Sequence, residues 1–173
     1  MMLSPKNRLK QFLKSEDGVA VVEFVISLPL MILIFAIIVE FGRLFIGYQA
    51  VLSGVQDASR YLGRIAPVDI CPTDGSVTGG TFTGGIFTDY ETDLKTRIET
   101  DRSDNSVLPS QFAVTGVDAT YACVPGDFRT SPAPVATVAA QISVQFPLGF
   151  LFGIFGNELD PFSATVSGSS RIF

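Results

Sequence analysis

There is no histidine anywhere in the 173 residues, and that absence alone removes several chemistries. Ser–His and Cys–His nucleophilic pairs, histidine general bases and histidine-ligated metals all need an imidazole. Cysteine is nearly as scarce. Cys71 and Cys123 are the only two, too widely spaced for a paired metal or redox motif, and no glycine-rich phosphate loop is present. Positive charge is also in short supply, with 12 Lys and Arg against 17 Asp and Glu. Such a chain offers no basic stripe to nucleic acid. The local acidic cluster Asp89, Glu91 and Asp93 suits a solvated helix start, where carboxylates complement the dipole. These absences point away from an enzyme, a metal or cofactor site, and a nucleic-acid partner.

What the chain does have is a long hydrophobic run. Val19 to Val39 is twenty-one residues with one charge, Glu23, and fifteen of them are Leu, Ile, Val or Phe. As a helix it would be roughly 32 Å long, matching a hydrocarbon core of roughly 30 Å. Each large apolar residue favours insertion by roughly 0.3–0.6 kcal/mol, against about 3 kcal/mol for one carboxylate at mid-bilayer. The sum favours insertion even with Glu23 and Pro29 included. Lys6, Arg8, Lys10 and Lys14 precede the span, which keeps the N-terminus cytoplasmic. A cleavable secretory signal fits poorly, because the run exceeds a 7–15-residue h-region and no small-x-small site follows it.

Beyond the span, apolar residues recur with helical spacing at Leu44, Tyr48, Val51, Leu52, Val55, Ala58 and Leu62. The pattern predicts one helix from about Val19 to Gly63, apolar all round and then amphipathic, closed by Pro67 and Pro72. Its apolar stripe requires a cover, either the chain's own domain or a neighbouring subunit. Thr73 to Gly85 has too few large apolar residues for a core strand and reads as loop or weak hairpin. Thr88 to Glu91 has the spacing of a capping box, opening a short helix through Tyr90, Leu94 and Ile98. Phe112–Cys123, Val135–Phe146 and Phe162–Ile172 read as strands, the last alternating through Phe162, Ala164, Val166 and Ile172. The expected fold is therefore α+β: a long N-terminal helix, transmembrane and then amphipathic, packed on a small antiparallel sheet. The expected divisions are a cytoplasmic leader (1–18), a transmembrane segment (19–39), an amphipathic continuation (40–64) and an extracytoplasmic α+β domain (65–173).

Cys71 and Cys123 both fall on the exported side, where an even pair most simply forms one disulfide. Two separate buried thiols are the alternative. Residues 147–156 are uncharged and contain Phe150, Leu151, Phe152 and Phe155. That segment is too short to span a bilayer, and it serves either as a buried connection or as an interface.

The string carrying most information is Glu16 to Phe24. Gly18 stands where the charged leader meets the apolar helix, and Glu23 follows five residues later. A carboxylate inside a membrane helix is costly and points to a function with a partner. With Phe24, the step Leu28-Pro29-Leu30 and the close Glu40-Phe41-Gly42-Arg43, this region resembles TadE-like minor pilins or pseudopilins of the tight-adherence (Flp) type IV pilus systems. The resemblance covers residues 16 to about 64. It implies a pilin-like fold, with cleavage by prepilin peptidase between Gly18 and Val19. It also implies that Glu23 pairs with the freed amine of its own or a neighbouring subunit. The implied partners are minor and major Flp pilins and the assembly platform of the bacterial inner membrane. The domain would be periplasmic, or extracellular if it enters the pilus. Major Flp pilins are much shorter and carry Tyr after the Glu, which favours a minor, initiating or capping role here. A larger relative with a metal-binding adhesion domain would need more residues than 173. Pseudopilins of type II secretion share the cleavage but usually have Phe after the cut and lack the Glu-Phe-Gly-Arg close. The rival without processing is an uncleaved single-pass protein with a periplasmic binding or scaffold domain.

Overall fold

The structure, a computed structural model, describes residues 17–72, 74, 76–83, 87–127, 131–149 and 160–173. Helix α1 runs Asp17–Ile65 and is followed by strand β1 (Gly79–Thr81) and helix α2 (Tyr90–Glu99). Three longer strands follow: β2 (Phe112–Val124), β3 (Ala133–Val144) and β4 (Phe162–Arg171). They form one antiparallel sheet in the order β1-β2-β3-β4. The α+β reading is correct. Two compact units divide between Phe41 and Gly42, so the amphipathic half of α1 belongs to the same unit as the sheet.

Within Gly42–Phe173, burial follows the helical period read from the sequence. Val51, Val55, Ala58 and Leu62 are all fully buried in one core. Each Val or Leu buried in this way stabilises the fold by roughly 1.5–3 kcal/mol. The opposing layer is the inward face of the sheet, where Ala136, Val138, Ala140, Ile142 and Val144 alternate with more exposed residues on β3. On β2 the inward set is Phe112 and Val114, then Val117 and Ala119. The odd spacing between Val114 and Val117 is absorbed by an irregularity in the β2–β3 register between Val114 and Gly116. A bulge of this kind adds one residue and restores the inward parity beyond it.

Three details differ from the sequence reading. Thr73–Gly85 contains a real edge strand, β1, paired with Thr120–Ala122 of β2, and Phe82 just beyond it is buried. Helix α2 starts at Tyr90 with Asp89 at its N-cap, one position later than the Thr88 start read from the sequence, and the Asp89 side chain makes no cap hydrogen bond. Phe162, counted with the inward alternation of β4, is mostly exposed at the sheet's end, whereas Val166 and Ile172 are buried.

Helix and sheet approach closely at Gly63. A Cβ built there would lie 2.6 Å from the carbonyl oxygen of Arg171, a backbone atom that cannot swing aside. Gly63→Ala is therefore expected to destabilise this unit by about 1–3 kcal/mol, despite alanine's better helix propensity. Urea unfolding followed by tyrosine fluorescence would measure it, since all four tyrosines lie beyond residue 42 and tryptophan is absent.

Candidate functional site: the N-terminal helix

Gly18 and Val19 lie within the first described turn of α1. The leader up to residue 16 is outside the described residues. From Val19 onward the helix is bare: Val19, Val21, Val22, Phe24, Val25 and Ile26 are all more than half exposed. The helix is long and apolar enough to cross a membrane, and none of its most apolar stretch is buried within the chain. A soluble core helix would be covered by its own fold. This one needs lipid or other helices around it.

Glu23 is exposed on that bare surface. Val19 and Glu23 stand four residues apart, about one helical turn, on the same face. Ser27 and Pro29 act on the turn that follows. The Ser27 hydroxyl donates to the carbonyls of Glu23 (2.9 Å) and Phe24 (3.2 Å), a back-bonding pattern that bends helices. Pro29 lies inside α1 and has no N–H to give the carbonyl of Val25. Phe24 and Pro29 thus share one locally weakened, apolar stretch with Glu23.

An oxygen of Glu40 is buried with no hydrogen-bond partner among the described residues. In the sequence this residue was only the start of the Glu-Phe-Gly-Arg close.

Cys71 and Cys123 are brought together from the loop after α1 and the end of β2. They form a disulfide with a Cα–Cα distance of 5.8 Å. The interface candidates Phe150, Leu151, Phe152 and Phe155 lie outside the described residues. Of that segment only Pro147 to Gly149 is described, a turn closed by the Gly149 amide donating to the Phe146 carbonyl at 2.9 Å.

Residues 18–60 match the sequence model of the family described as TadE-like protein. The match begins at Gly18 and ends inside α1, so the helix is TadE-like and the sheet lies outside the matched region. No curated protein and no solved structure matches the chain. Over that stretch, about a quarter of the chain, the helix is similar to that of TadE-like proteins.

Proposed function

We propose that this chain is a minor pilin or pseudopilin that prepilin peptidase cleaves after Gly18. It acts, without an enzymatic activity of its own, in the assembly or initiation of a Flp/Tad pilus used for surface adherence. The observation that carries this reading is the position of the TadE-like match, which opens at the residue where the basic leader gives way to the apolar helix. The leader stays cytoplasmic, α1 crosses the inner membrane, and the folded unit is periplasmic until assembly.

The chemistry of the cut is consistent with the local structure. A peptidase takes its substrate as extended backbone, so the helix must open at Gly18. Glycine disfavours helix by about 1 kcal/mol relative to alanine, and its lack of a side chain allows close approach. Cleavage then frees an ammonium at Val19 within a turn of Glu23. Packed among apolar helices, either charge alone would be costly, while the pair is far less so. That pairing, within a subunit or between two, gives the processed helix a defined axial register in an assembly.

N-terminal sequencing of the protein extracted from membranes tests the proposal. The expected start is Val19 in cells with prepilin peptidase and Met1 in cells lacking it. A Met1 start in both would leave only the uncleaved, membrane-anchored binding or scaffold protein.

A further inference from the structure

The exposed apolar surface of α1 does not stop at Val39. Phe41, Phe45, Ile46 and Tyr48 are exposed as well, and Glu40 and Arg43 are the only charges from Phe24 to Gln56. The change comes directly after Tyr48. From there to Arg60 the exposed residues of the helix are Gln49, Ser53, Gln56, Asp57 and Arg60, all of them polar. Val19 to Tyr48 is thirty residues, about 45 Å as a helix. That exceeds the roughly 30 Å hydrocarbon core and matches the roughly 40–45 Å of a bilayer with its headgroup layers.

The folded unit shows what stands at that level. Gly47 lies directly against the Phe112 ring. Phe112 pairs with Val144, and Val144 with Phe162, so these three form one end row of the sheet. Further along, a Cβ on Gly168 would meet the backbone of Val55 at 3.3 Å and of Gln56 at 3.4 Å. The Phe173 amide donates to the Gly63 carbonyl at 3.3 Å. Helix and β4 thus run the same way, from Gly47 and Phe162 at one end to Gly63 and Phe173 at the other. The two ends are about 24 Å apart along the helix. Phe162 has the inward parity of β4 and is nonetheless exposed, so an apolar ring faces out of the sheet's end beside the entry of α1.

The arrangement around the helix selects the partner. Successive residues are about 100° apart. Gly47 faces the sheet, and Phe45, Ile46 and Tyr48 therefore point in the three remaining directions. A single protein partner would cover one side of such a collar, whereas a lipid layer surrounds it. We propose that Phe45, Ile46, Tyr48 and Phe162 form a collar that seats the folded unit in the phospholipid headgroup layer. The boundary between headgroups and acyl chains favours amphipathic rings such as Tyr48 and lets Arg43 extend toward phosphate. The water boundary of α1 then falls at Tyr48, nine residues beyond Val39. The collar rests on the reading of α1 as a membrane-crossing helix, and not on cleavage at Gly18.

The chain has no tryptophan, so a single introduced one reports its own depth. Phe35→Trp, Phe45→Trp, Phe162→Trp and Phe173→Trp would each be made in the full chain and reconstituted into phosphatidylcholine vesicles. The lipids would carry bromine either near the headgroup or near the chain end. Phe35→Trp is expected to lose most emission to the deep bromine. Phe45→Trp and Phe162→Trp should lose most to the shallow one, and Phe173→Trp should lose to neither. Ile46→Trp should match Phe45→Trp. Phe35→Trp quenched while Phe45→Trp or Phe162→Trp escapes both labels overturns the collar and leaves the membrane helix standing. Phe35→Trp unquenched by either label removes the membrane helix and the collar with it. Phe173→Trp quenched as strongly as Phe162→Trp would mean a unit lying flat on the lipid, which also overturns the proposal.

Discussion

Serine in place of both Cys71 and Cys123 is expected to cost the folded unit about 4 kcal/mol, the loop-closure value for the 52-residue separation of the pair. That is about a quarter or more of the roughly 5–15 kcal/mol that holds a typical domain. The closed loop contains β1, α2 and most of β2. Two of these are weak by themselves. Strand β1 is three residues long, and α2 buries only Leu94 and Ile98 and lacks a side-chain cap. With the crosslink gone, the unfolded chain regains the freedom of that loop while the native contacts stay the same. Urea unfolding read by tyrosine fluorescence should show a lower midpoint, with a somewhat steeper slope because the uncrosslinked unfolded chain exposes more surface. The wild type under reducing conditions should behave likewise. An unchanged midpoint would mean that the loop is already ordered in the unfolded state.

Phe82→Ala is expected to be comparably severe, at about 3–5 kcal/mol. Phe82 is among the largest fully buried side chains of the chain. Its ring lies 4.9 Å from that of Phe87 and 5.5 Å from that of Tyr121, tilted against both. Its amide donates to the Ala119 carbonyl at 3.3 Å, so the side chain also anchors the end of β1 beside β2. Alanine would leave a cavity that this rigid neighbourhood closes poorly. Phe82→Leu restores most of the volume and should cost less than about 2 kcal/mol by comparison. Equal losses for the two substitutions in the same unfolding assay would show that the aromatic contacts, and not the filled volume, carry the effect.

Phe82 also shows where reading the sequence stops. It stands in a stretch dominated by glycine and threonine, which has no periodicity of its own, and it is buried because β2 happens to lie beside it. Strand β2 is a similar case. Its inward residues shift parity at the Val114/Gly116 irregularity, so strict alternation was hidden although strand composition was plain. By contrast, α1 was legible almost to the residue, because twenty-one apolar positions and then a 3.6-residue stripe are patterns within one segment. The short helix and the three long strands were legible for the same reason.

The candidate site divides along the same line. Gly18, Glu23, Phe24 and Pro29 are neighbours in sequence, and their spacing along one helix needs no tertiary structure to be read. The pairing of Cys71 with Cys123, the close approach at Gly63 and the stacking of Arg97 on Tyr61 could not be read in that way. Each joins or encloses residues that are remote in the chain, and only packing decides which remote residues meet. The sequence by itself thus determined the long apolar helix, its amphipathic continuation and the order of the longer elements, all set by local hydrophobic period and turn chemistry. The tertiary structure alone decided what covers the amphipathic stripe, which is this chain's own sheet, and which charges are left facing outward once it is covered.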